Sequence, residues 1–451
     1  MSHVPQTLST ERAGRAERRL RPEVPQLPRG YTLRAITILS LVGILNYFDR
    51  FLVSIAAADI KNEFHVSDTQ LGLLTGPAFV IIYAVATIFA GRLADTRSRR
   101  LVLAGALLLW STMTTLSSRV QTFAALVILR AGVGIGEGGA NPATYSIISD
   151  LFPARRRAAA IAAFHSISML GVLLTFVVGG YAVASFGWRV AFLAAGIPGV
   201  LLAVVLPALV QEPPRGRFDE MSEDRSAIDK PSFGDAISTL VGNRTYLWLL
   251  GGASLGSFGT TGILQWLPLF FLRSHGMSVR SVGLLFGPSL ALGLILGMIV
   301  GGWAVNKLTQ RSAVAPMTFC VITNLAATPL YLATLWAPSL GIALIATFAA
   351  AATAVMFSPA FTAAVQNLVS ARFRGMAAAG CLLGTAIVGQ AILPQLVGIL
   401  SDVLYPEFGK ESIRYALTIL IGANVLAAWC FAGARRAIAG IQSRESARYA
   451  R

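Results

Sequence analysis

Apolar runs of about 20 residues, each long enough to cross a hydrocarbon layer as a helix, recur along the chain and are separated by short polar segments. Six can be drawn in the first half: Leu33 to Ala58, Gln70 to Leu93, Leu101 to Ser118, Phe123 to Ile148, Ala158 to Ala184 and Val190 to Val210. Six more follow at Tyr246 to Leu272, Val282 to Val305, Val314 to Trp336, Ser339 to Val365, Met376 to Leu400 and Ile413 to Ala434. The pattern predicts an all-α membrane protein of twelve spanning helices. It divides the chain into a tail (1–32), a first six-helix bundle (33–210), a polar linker (211–243), a second bundle (244–434) and a second tail (435–451).

Composition agrees: of 451 residues 55% are hydrophobic and 13% charged, which excludes an ordinary soluble globular class. The net charge of +16 invites a nucleic-acid reading, but position decides otherwise. With the N-terminus placed in the cytoplasm, 28 of the 37 Lys and Arg fall in cytoplasmic segments and 7 in opposite-side loops, with Arg50 and Arg130 inside helices. That asymmetry orients a multi-pass protein with both termini cytoplasmic; attraction to anionic lipid headgroups is secondary, and no nucleic acid is expected. Cys320, Cys381 and Cys430 all fall within spans, so no disulfide framework is implied.

Against this background the intramembrane charges stand out. A charge at the centre of a span costs at least roughly 2.5–3.5 kcal/mol and calls for a partner or a task. The fourth span, RAGVGIGEGG, carries Arg130 and Glu137 seven residues apart, two helical turns, so both leave the same side of the helix. Its glycines thin the helix and allow a close neighbour or a ligand. The first span carries Asp49 and Arg50. At 1.5 Å per residue Asp49 and Glu137 both lie roughly 20 Å from the cytoplasmic ends of their helices, and the four charges sum to zero. Adjacent residues project about 100° apart, so Asp49 and Arg50 face different walls.

GRLADTRSRR at 91–100 closes the second span with a basic turn, in which Asp95 is placed to accept from a helix N-terminus or to pair with Arg99. The arrangement returns as GWAVNKLTQR at 302–311. Pro153–Arg157 returns as Ser370–Arg374, and Trp188–Ala191 as Ile413–Ala416. Their constant order and slowly drifting offset predict two homologous six-helix halves. The late half lacks deep charges and offers amides (Gln265, Asn324, Gln366, Asn367, Gln390) beside Phe258, Phe270, Met356, Phe357 and Phe361, read as a mostly apolar wall for a lipid tail.

The 91–100 loop, its echo and the twelve-span layout resemble the major facilitator superfamily. Within it NYFDR, RAGVGIGEGG, SDLFPARRR, GWRVAF and EPPRG resemble the Spinster family of lysolipid and sphingolipid transporters. The resemblance covers nearly the whole chain; Ser98 departs from it, standing where the superfamily loop usually has glycine. It implies alternating access and, for bacterial members, proton coupling in an inner (plasma) membrane. Asp49 and Glu137 are then the proton-coupling candidates, Arg50 and Arg130 either counter-ions or anchors for an anionic headgroup, and Gly91, Asp95 and Arg99 the gating loop. His165 is either a proton relay or a hydrogen-bonded packing residue. The substrate implied is an amphipathic anion such as a lysophospholipid. NYxDR also occurs in anion:cation symporters for sugar acids, so small organic anions, sugar acids or drugs form the alternative. A lipid-processing enzyme is disfavoured: the chain has no HExxH and no paired acids beside a histidine. No metal or cofactor is expected, and the chain is expected to act as a monomer.

Overall fold

The computed structural model describes residues 30–449 apart from 216, 218–232, 313, 371 and 372. Most of the first tail, about half of the linker and two residues of the 370–374 echo therefore lie outside the described residues. The spans are α1 (Tyr31–Phe64), α2 (Asp68–Thr96), α3 (Arg99–Ser117), α4 (Phe123–Leu151), α5 (154–186) and α6 (188–209). The second half has α7 (244–274), α8 (Val279–Arg311), α9 (Ala315–Trp336), α10 (Leu340–Leu368), α11 (374–408) and α12 (412–449). A short helix, Phe233–Gly242, ends the linker.

Two of these helix pairs run on without a coil between them. The apolar helix Ala159–Leu209 is 51 residues long, or about 77 Å at 1.5 Å per residue, far beyond a single crossing. Gly187 (φ 81°, ψ 162°) breaks it into α5 and α6. In the same way Gly409 (φ 53°, ψ −130°) separates α11 from α12. Both glycines hold left-handed backbone that a side chain would strain. Starts elsewhere follow from the local sequence. Thr122, Asn243 and Ser339 cap α4, α7 and α10 by accepting a main-chain N–H, and Ser67 with Gln70 forms a capping box at α2.

The glycines of α4 do what their spacing promised. A Cβ on Gly134 would stand 2.6 Å from the Phe79 carbonyl oxygen of α2, and one on Gly136 2.6 Å from the Trp110 nitrogen of α3. The charged helix is thereby seated deep between two neighbours.

The halves meet along α2–α11, α5–α8 and α1–α7. π-helical stretches interrupt α5, α7, α8 and α11 (Thr175–Gly179, Phe258–Gly262, Val282–Phe286, Thr385–Ile392); they touch in pairs, α5 on α8 and α7 on α11. The hydrogen bonds joining the halves gather at the end remote from the basic 97–100 loop. There Asp68, 1% exposed, accepts from Arg273 Nη1 and Nη2 at 2.6 and 2.7 Å, from Ser401 at 2.6 Å and from Lys61. Asp402 of α11 accepts the main-chain N–H of Asp68 and of Thr69 at 2.9 and 2.7 Å. The remote end is closed.

Candidate functional site

α1, α3 and α4 bring the four intramembrane charges together. Arg50 donates to Glu137 Oε2 through Nη2 at 2.7 Å and Nε at 3.2 Å, and the Glu137 side chain is fully buried. Asp49 turns away, as the 100° step requires, and its Oδ2 accepts from Thr114 Oγ1 of α3 at 2.6 Å. Arg130 reaches across to α1 and donates to the main-chain oxygen of Arg50 at 3.0 Å and of Asp49 at 3.5 Å. Asp49 Oδ1, Glu137 Oε1 and Arg130 Nε are buried with no hydrogen-bond partner among the described residues. Such atoms are costly in a low dielectric, so the cluster is balanced in charge but incomplete in hydrogen bonds.

Arg50 lies where two cavities adjoin. One is lined by Asn46, Asn141, Thr144 and His165 of the first half, the other by Thr75 and Phe79 on one side and Thr261, Gln265 and Gln390 of the second half on the other. Tyr47 and Arg50 line both. Rings surround the guanidinium: the Tyr83, Phe79 and Tyr47 centroids lie 5.0, 5.2 and 5.9 Å from Arg50 Cζ. His165 shares a 2.6 Å hydrogen bond with Tyr145 Oη and lines the first cavity; both readings of this histidine, relay and packing, find a contact.

The loop residues behave differently from one another. Arg99 is 1% exposed and pairs with Asp150 of α4 and, through Nε at 2.7 Å, with Glu212. It does not pair with Asp95. The Asp95 carboxylate is exposed and without a partner among the described residues, because i, i+4 spacing does not apply across the break at Arg97 and Ser98 between α2 and α3. Gly91 has open space around it, with nothing within 4 Å of a built Cβ. Glu212 instead of Asp95 caps α3, accepting from Ser98 Oγ and from the main-chain N–H of Arg99 and Arg100. Arg215 donates to the α2 carbonyls of Ala94 and Asp95, so EPPR straps the turn at both helix ends.

The expected lipid-tail wall needs correcting. Phe258 and Phe270 are fully buried, and Phe357 and Phe361 nearly so, all within helix packing. Asn324 is used up by its own helix, donating to the Cys320 carbonyl, and Gln366 and Asn367 are exposed away from the cavity. Only Gln265 and Gln390 of the named late-half residues reach it. Thr114, Phe79, Asp68, Arg273 and Asp402 were not anticipated. The Ser67–Gln70 capping box was the available sign that α2 begins at Asp68 and not at Gln70.

Residues 39–379 match the family model of the Major Facilitator Superfamily. The chain belongs to that superfamily. An MFS-type efflux pump of Mycolicibacterium smegmatis is 31% identical over 88% of this chain and 91% of its own length. A sphingosine-1-phosphate transporter of Xenopus tropicalis is 28% identical over 86% of this chain and 77% of its own. Among solved structures, a bacterial homolog of the human lysosomal transporter Spinster, in an inward-facing and unoccupied conformation, superposes with a TM-score of 0.82 at 26% identity, covering 91% of this chain and 98% of the other. The chain is thus a multi-pass membrane transporter of the twelve-helix, two-bundle fold that resembles Spinster. The superfamily's members carry small molecules and are not enzymes.

Proposed function

We propose that this transporter couples movement of an amphipathic anion, of the lysophospholipid or sphingolipid kind, to protons by alternating access. The observation that carries the reading is the neutral cluster of Asp49, Arg50, Arg130 and Glu137, in which each carboxylate keeps one buried oxygen without a partner among the described residues. It stands beside a cavity whose opposite wall supplies the uncharged Thr261, Gln265 and Gln390. Placing the basic end in the cytoplasm of a bacterial inner membrane, with both termini on that side, makes the closed remote end the outer gate and the conformation inward-facing. A proton on Glu137 removes the charge that Arg50 answers, and the freed guanidinium turns to the anionic group of the substrate, for which its planar fork is suited. Asn46, Asn141, Thr144 and His165, next to Arg50 in the first cavity, supply hydrogen bonds for the rest of a headgroup. Substrate and proton then compete within one charge balance, which couples their movements.

Asp49→Asn and Glu137→Gln, reconstituted in liposomes, are expected to lose most uptake driven by a pH gradient while keeping substrate counterflow. Wild-type dependence on the gradient in both variants overturns the reading. One observation favours the alternative, transport of small organic anions, sugar acids or drugs: the amide and hydroxyl wall of the second half is polar where a lipid tail would seek apolar contact. Competition by lysolipids against competition by hexuronates separates the two. The transporter is proposed to act as a monomer, without cofactor or metal.

A further inference from the structure

Arg130 is held by something other than its hydrogen bonds. Among the described residues its donors reach only two main-chain oxygens, its Nε has no partner, and neither carboxylate of the cluster accepts from it. What faces it is a ring. Arg130 Cζ lies 4.5 Å from the centroid of Phe79, and Arg50 Cζ lies 5.2 Å from the same centroid. One phenyl ring, 2% exposed, thus serves two guanidiniums that repel each other. The attraction of a cation for a ring face strengthens when both are removed from water, and here the ring and Arg130 are buried while Arg50 is largely so.

The backbone fixes that ring. Phe79 lies in the first turn after the break in α2 at Gly76 (φ −107°, ψ −98°), where Pro77 restarts the helix. Gly134 of α4, one turn on from Arg130, lets α4 lie against the Phe79 carbonyl, which a Cβ would meet at 2.6 Å. Gly76 lets the same turn approach α11, where a Cβ would stand 3.0 Å from the Ala391 carbonyl oxygen. The backbone that carries the ring is thus packed closely against α4 and α11.

We propose that Phe79 is a positioning residue for transport: its ring holds Arg50 and Arg130 in place and keeps Arg130 from closing a salt bridge with Asp49. A full ion pair would lock that carboxylate in its ionised form, because in a low dielectric the proton would have to displace a paired cation. A ring satisfies the cation without occupying the carboxylate. The charged and titratable groups around it are Tyr47, Asp49 and Arg50 from α1, Tyr83 from α2, and Arg130 and Glu137 from α4. α3 contributes Thr114, and α7 and α11 face the cavity with Gln265 and Gln390, which do not titrate.

The proposal rests on the proton-coupled reading for its role in transport but not for the contact itself, and two measurements separate them. Incorporating mono-, di- and trifluorophenylalanine at position 79 weakens the ring's negative face stepwise with little change of shape. The detergent-solubilised transporter is expected to melt about 1–2 °C lower at each step, while the same series at Phe258, buried with no guanidinium over its ring among the described residues, stays level. A level series at position 79 overturns the proposal. In liposomes, Phe79→Leu frees Arg130 to pair with Asp49, so the pH of half-maximal gradient-driven uptake is expected to fall by about one unit. Phe79→Trp keeps the wild-type profile. An unshifted profile in Phe79→Leu, with gradient dependence lost in Asp49→Asn and Glu137→Gln, overturns the positioning role and leaves the proton reading intact. Gradient dependence preserved in Asp49→Asn and Glu137→Gln overturns the proton reading and with it the positioning role, and the melting series still decides the contact.

Discussion

Asp49 and Arg50 are chain neighbours, yet one answers to α3 and the other to α4. Helical geometry foretold that they would part company, and the sequence contained both carboxylates and both arginines of the cluster. It did not reveal who would bond to whom. Thr114 is a threonine in an apolar run, and nothing in its surroundings along the chain marks it as the partner of an acid 65 residues away. The same holds for Glu212. Burial alone would raise its carboxyl, but hydrogen bonds from Arg99, Ser98 and two main-chain amides outweigh that and hold it below the ordinary carboxylate value. A group lowered in the folded state contributes stability that is present above its unfolded value, about 4.3, and is lost as pH falls through its folded value. Glu212→Gln is therefore expected to melt below wild type at pH 7, with the gap closing as the pH is taken below about 4. A gap that stays constant across that range would show that the cap contributes through packing and not through charge.

At the scale of elements, periodicity and length located all twelve helices, because a spanning helix is defined by the thickness of its solvent. Ends were less legible: α11 runs on to Phe408, through Pro406, well past Leu400. The π-helical stretches of α5, α7, α8 and α11 have no signature in a hydrophobic pattern, since one extra residue in a turn leaves the segment equally apolar. α4 shows the reverse. Its glycine ladder was visible, and the structure says which rung matters. Gly136→Ala would drive a Cβ against the Trp110 nitrogen at 2.6 Å and the Ala106 oxygen at 2.9 Å. Both are backbone atoms, so the helices must part, at a cost of about 1–3 kcal/mol. Gly132→Ala meets only the Met113 side chain, its Sδ at 2.9 Å, and that flexible chain can swing aside. Thermal unfolding in detergent should separate the two variants clearly, and equal melting points would refute the backbone argument.

For the whole molecule, the closed end rests on Asp68. It gathers Lys61 from its own half, Arg273 and Ser401 from the other, and sits at a helix start capped by Asp402. Removing one partner of a buried pair strands the rest, so Asp68→Asn is expected to populate a state open at that end. Spin labels at Thr69 and Gln395, whose parent residues touch across the halves at 3.0 Å, should report a longer distance component in the variant; an unchanged distribution would show that apolar packing alone keeps the end shut. By itself the sequence determined the class of solvent, the number of helices, the two related halves and the four charges in the membrane, because each is a property of runs and periods along one chain. Only the tertiary structure decided that Arg50 takes Glu137, that Phe79 stands before both arginines, that Arg99 turns to Asp150 and Glu212, and that Asp68 closes the remote end. Each of those joins residues from different helices, and which face of one helix meets which face of another is settled by packing, where no local pattern reaches.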